Sequence, residues 1–117
     1  MRSHLLAWQW SDYAAKHRDR VNLLLHIVVV PLFQAGTLVL LYGAVRGRLG
    51  LVVLGVVAML VSVVAQGRGH RRERETPTPF TGADDVVTRL LVEQWVTFPR
   101  FVLSGGWYQN LRCARPA

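Results

Sequence analysis

The residues in this chain best able to do chemistry are three histidines, His17, His26 and His70, with Asn22 and Glu73 close by in sequence. Neutral imidazole is the commonest side-chain metal ligand, and a carboxylate adds a harder oxygen donor. Such a set with an open coordination position suits non-haem Fe(II), and zinc accepts much the same donors. Asn22 lies four residues before His26 on one helical face, where its amide can orient an imidazole or a ligand. His70 and Glu73 are three apart and share one side of a helical turn. Singly, each residue also has an ordinary role open to it. His26 could bridge packed helices, His17 touch a headgroup, His70 belong to a basic run, and Glu73 balance Arg71 and Arg72.

Whether these residues can meet depends on the elements that carry them. Leu23 to Val45 is 23 residues without a formal charge, about 34 Å long as a helix. Leu49 to Gln66 adds 18 more, close to 27 Å by the same rise, short but adequate for a bilayer. The pair predicts a transmembrane hairpin turned at Arg46-Gly47-Arg48. Its turn carries two basic residues, whereas Arg2, Lys16, Arg18, Arg20, Arg68, Arg71, Arg72 and Arg74 make eight on the opposite side. The positive-inside rule therefore places the amino terminus and the post-hairpin segment in the cytoplasm. Since the hairpin returns to its side of entry, it brings Gln66, His70 and Glu73 to the membrane face of His17, Asn22 and His26.

His26 lies inside the first span, where an ionisable group is costly and usually faces a partner or cavity. Pro31 removes a helical donor and should kink the helix just beyond it. On one straight helix His17 and His26 would project in opposite directions about 13 Å apart. A break at Arg18-Asp19-Arg20, with Asp19 capping the second helix, lets His17 fold back. Farther along, Arg89, Glu93 and Arg100 fall on one side of a helical wheel, with Leu91, Trp95, Phe98 and Val102 on the other. Val86 to Leu103 therefore reads as an amphipathic helix in the interface, a third, kinked span being the alternative. Asp84 or Asp85 is its expected N-cap. Trp8, Trp10, Trp95 and Trp107 all lie outside the spans and read as interfacial anchors.

Composition agrees with a membrane chain. Of 117 residues 51% are hydrophobic, and the net charge is +7. The apolar residues collect in two long runs rather than in short periodic stretches, which argues against a soluble globule. The basic residues flank those runs rather than line one exposed face, which argues against nucleic acid. A single cysteine, Cys113, excludes an internal disulfide. No signal-peptide pattern opens the chain.

At the histidine blocks the chain resembles the family of the fungal 2-hydroxy-fatty-acid dioxygenase and its bacterial relatives. The likeness runs from about Tyr13 to Trp107. One block is His17-Arg-Asp-Arg-Val-Asn22-Leu-Leu-Leu-His26 followed by Pro31. The other is Gln66-Gly-Arg-Gly69-His70 with Glu73 and Pro77 or Pro79. The resemblance implies an Fe(2+)-dependent enzyme that uses O2 to shorten a 2-hydroxy fatty acid by one carbon. It implies His17, His26 and His70 as iron ligands, and Asn22 and Glu73 as ligands or as residues that orient them. Arg20 or Arg71 could pair with the substrate carboxylate.

The expectation is thus an all-α integral membrane protein forming one domain. It has an interfacial helix over 1–20, spans over 21–46 and 49–66, a basic loop over 67–83 and an interfacial or third membrane helix over 84–111. The expected location is a bacterial inner membrane with the cluster on the cytoplasmic side. Expected partners are a 2-hydroxy fatty acid or another membrane lipid, O2 and the bilayer, with room for a homo-oligomer. Two rivals remain: a non-catalytic lipid- or partner-binding membrane protein with a structural His/Asn/Glu cluster, and a zinc- or haem-binding module.

Overall fold

The computed structural model describes residues 3–114 and is helical, with no strand among the described residues. Helix α1 spans Leu5–Ser11 and leads through a 3-10 turn, Ala14–Lys16, into an extended break at His17, Arg18 and Asp19. Asp19 caps the next helix by accepting from the Asn22 N–H at 3.0 Å. That satisfies one of the donors a helix start leaves open. Helix α2, Arg20–Val45, then runs unbroken through Pro31.

Helix α3, Leu49–His70, returns beside it after a turn in which Gly47 adopts φ +65°. The two long helices cross where Gly36 meets Gly55. A methyl on Gly36 would lie 2.9 Å from the Gly55 carbonyl oxygen, so only small residues permit this approach. Both helices are long and apolar enough to cross a bilayer. Their outer surfaces carry Val28, Leu38, Leu41, Val53, Leu54 and Leu60, all more than half exposed.

Helix α3 continues to His70, four residues past its expected end, so the loop begins only at Arg71. Gly69 makes the extension workable, because a Cβ there would collide with Oδ1 of Asn22 on α2. Beyond the loop, the segment expected as one helix from 84 to 111 divides into α4, Ala83–Val92; a π-helix, Glu93–Thr97; α5, Phe98–Leu103; and α6, Gly106–Cys113. The cap of α4 is Gly82, with Asp84 and Asp85 already inside its first turn. Asp85 instead accepts from the Thr81 N–H at 3.1 Å.

This carboxyl-terminal layer packs over the open end of the hairpin. Tyr13, Leu23, Val30, Phe98 and Phe101 form the apolar core there. The two faces of the wheel do not divide into inside and outside along the whole segment: Phe98 is buried and Arg100 exposed, but the turns before them differ. Arg89 is buried and Glu93 faces inward, whereas Leu91 and Trp95 are exposed. The polar partners of Arg89 and Glu93 are inside, so these two charges turn in. The tryptophans also serve internal contacts: the Trp107 indole donates to the Leu23 carbonyl at 2.9 Å, and Trp10 lies under the Arg100 guanidinium at 4.1 Å.

Candidate metal centre

His17 comes from the break before α2, His26 from the second turn of α2 and His70 from the last residue of α3. Their rings stand nearly perpendicular to one another. Centroid separations are 5.0 Å for His17 and His26, 4.7 Å for His17 and His70, and 4.9 Å for His26 and His70, at 81–89°. A carboxylate from the π-helix, Glu93, completes the group. One ligand atom from each of the four lies within 4.8 Å of the others.

Backbone geometry fixes the tautomer of two of these imidazoles. His17 Nδ1 donates to the Tyr13 carbonyl at 2.7 Å, and His26 Nδ1 donates to the Asn22 carbonyl at 2.9 Å. A carbonyl only accepts, so each Nδ1 carries the proton and each Nε2 keeps a free lone pair. Those two Nε2 atoms, together with Nδ1 of His70, are buried without a hydrogen-bond partner. Buried lone pairs left unpaired cost free energy. Three unpaired imidazole nitrogens gathered beside a carboxylate fit a metal ion, with the backbone carbonyls orienting two of the rings.

Glu93 is held from the other side. The Tyr13 hydroxyl donates to its Oε2 at 2.8 Å, while His17 Nε2 lies 3.5 Å from the same oxygen, too long for a good hydrogen bond. The Tyr13 ring also stacks on His17 with centroids 3.9 Å apart. Burial works to raise the Glu93 carboxyl, but the adjoining His17, and behind it His26 and His70, outweigh it and hold it down to about 2. Burial and the Glu93 charge both push the Tyr13 hydroxyl up. Tyr13 is therefore the donor and Glu93 the acceptor in their hydrogen bond.

Three of the five residues singled out in the sequence, His17, His26 and His70, come together as donors. Glu73 and the Asn22 side chain do not join them. Both oxygens of Glu73 accept from the backbone N–H groups of Arg18 and Asp19 at 2.9–3.1 Å, and Oε2 accepts from Asn22 Nδ2 at 2.6 Å. Asn22 reaches the centre only through its backbone carbonyl, which orients His26. Glu93 and Tyr13 carry no motif spacing that marks them. The available signal was that Glu93 is the only acid between residues 86 and 114, a lone carboxylate in an apolar stretch.

The π-helix that presents Glu93 is anchored by buried amides. Gln66 of α3 and Gln94 exchange two hydrogen bonds of 2.9 Å, Gln66 also donates to Ser62 at 3.0 Å, and Gln34 of α2 donates to the Gln94 carbonyl at 2.7 Å. π-Turns widen a helix locally and recur at functional sites. This one points Glu93 to the histidines and Gln94 to the hairpin. Beside the centre lies a cavity of about 330 Å³ whose wall includes His17, His70 and Glu93.

A model of the family described as 2-hydroxy-palmitic acid dioxygenase Mpo1-like matches residues 3–102, a stretch that contains all four donors. The chain belongs to this family. No curated protein and no solved structure gives a match. Within this Mpo1-like chain, the matched stretch also contains Tyr13 and the Gln66–Gln94 pair, so the supports of the centre lie inside the family region along with the donors.

Proposed function

We propose that this Mpo1-like protein is a membrane-embedded Fe(II)-dependent dioxygenase that converts a 2-hydroxy fatty acid into the acid one carbon shorter. One observation carries the reading. Three perpendicular imidazoles with unpaired, buried nitrogens and one carboxylate converge in the wall of a cavity, within a chain whose family is named for that activity. Iron held there would supply open positions for O2 and for the 2-hydroxy carboxylate.

The residues of the chain have separable tasks. His17, His26, His70 and Glu93 would hold the metal. The carbonyls of Tyr13 and Asn22 fix two imidazoles, and the Tyr13 hydroxyl holds Glu93. Glu73 ties the break before α2 to the end of α3, which keeps His17 over His70. The conversion balances without an external reductant: a 2-hydroxy acid and O2 give the shorter acid, CO2 and water.

The apolar helices α2 and α3 support membrane insertion. With the basic flanks they support a bacterial inner-membrane location, with the centre on the cytoplasmic side, close to where a membrane-resident acid places its head.

O2 uptake by the iron-loaded protein in lipid nanodiscs tests the activity. With 2-hydroxypalmitate, uptake and a fifteen-carbon acid are expected in equal amounts, and neither is expected with palmitate. Absence of product from 2-hydroxy acids of every chain length would rule the dioxygenase reading out. Stoichiometric zinc that iron cannot replace would favour a zinc-binding module instead.

A further inference from the structure

The cavity beside the metal centre has walls of two kinds. Trp8, Val63, Phe80, Val86 and Leu90 make it largely apolar, while Lys16 and Arg71 also line it. Each of these two cations is the immediate sequence neighbour of a donor histidine, Lys16 of His17 and Arg71 of His70.

The charges in this wall differ in how far they are already paired. Lys16 Nζ pairs with Asp12 Oδ2 at 3.0 Å and donates to Thr78 Oγ1 at 3.0 Å, leaving one ammonium hydrogen for a third partner. Arg89 is committed to Asp85 and to the carbonyls of Thr78 and Pro79. Glu93 would be balanced by the metal. The Arg71 guanidinium has no hydrogen-bond or ion-pair partner among the described residues, so it is the cation in this wall free to take an anion. The volume, about 330 Å³, is at the lower end for ligand cavities. It suits a head and the nearer part of a chain, with the remainder following the exposed apolar face of α3.

We propose that this cavity is the substrate site, with Arg71 and Lys16 anchoring the carboxylate of a single-chain acid and Trp8, Phe80 and Leu90 enclosing the first part of its chain. That the acid carries a 2-hydroxyl rests on the function proposed above. The anchor itself rests on the cavity and on the unpaired Arg71 guanidinium and third Lys16 hydrogen that line it. In a 2-hydroxy acid the carboxylate is one bond from the hydroxyl-bearing carbon, so cations next to two metal ligands hold that carbon at the metal.

Chain-brominated palmitate, which quenches indole fluorescence on contact, is the probe, used with the full-length protein in nanodiscs. Competition by 2-hydroxypalmitate and by its methyl ester reads the contribution of the carboxylate. The acid should compete at least about tenfold better than the ester, as expected for a charge-assisted hydrogen bond. Arg71→Gln and Lys16→Gln should each lose most of that preference with bound metal unchanged. Lys16→Arg should restore it, and Trp8→Phe should remove most of the quenching. Equal competition by acid and ester in the wild type, or an undiminished preference in Arg71→Gln, would overturn the assignment. The two readings can fail separately. Metal binding without acid preference overturns the anchor alone, whereas acid preference that Arg71→Gln abolishes, in a protein that binds no metal, sustains the anchor and refutes the iron centre.

Discussion

Two glutamates at the head of the hairpin have different surroundings and therefore different roles. Glu73 accepts from two backbone N–H groups and one amide, all belonging to the turn that starts α2. Its conversion to Gln should cost about 2 kcal/mol of stability through weakened charge-assisted hydrogen bonds. Thermal unfolding should record that loss while the folded fraction keeps its metal. Glu93 accepts from a tyrosine and faces three imidazoles, so Glu93→Gln should lose metal with little change in melting temperature. Tyr13→Phe removes the hydrogen bond that holds Glu93, and metal titration should show affinity lower by about 10–100-fold. The three histidines were legible in the sequence because an ionisable group within or beside an apolar span needs a reason. The distribution of work between the two glutamates was not. Glu73 has the spacing of a ligand, and only the three-dimensional path of residues 17–19 shows that backbone amides claim it first.

At the scale of elements, the hairpin could be read from two uncharged runs, and the break before α2 from Asp19. The carboxyl-terminal layer could not, because a helical wheel ranks faces by polarity and says nothing about which side holds the partners. The π-helix was also hidden, since no residue type requires one. It is sustained by tertiary hydrogen bonds, chiefly the amide pair of Gln66 with Gln94. Gln66→Leu leaves a buried amide unpaired and should destabilise by about 1–3 kcal/mol, with loss of metal as Glu93 shifts. Gln66→Leu with Gln94→Leu should recover much of that stability, because no unpaired amide remains. Chemical denaturation of the four proteins in this double-mutant cycle checks it, and additive losses would show that the pair does not act as a unit.

For the whole molecule, the hydrophobic excess is a hairpin whose outer face is apolar along its length, and the +7 charge lies mostly at the open end. A reporter fused after Ala117 should register the cytoplasm and one inserted at Gly47 the opposite compartment. The same compartment for both would contradict the proposed orientation. Iron binding at this centre depends on the hairpin bringing His26 and His70 together over His17. Metal analysis of the full chain, prepared anaerobically with ferrous iron in nanodiscs, tests this most directly. About one iron per chain is expected, as one mononuclear site requires, and His26→Ala should lose it while the helical circular dichroism persists. A wild-type protein without metal, or a His26→Ala variant that keeps all of its iron, would contradict the account.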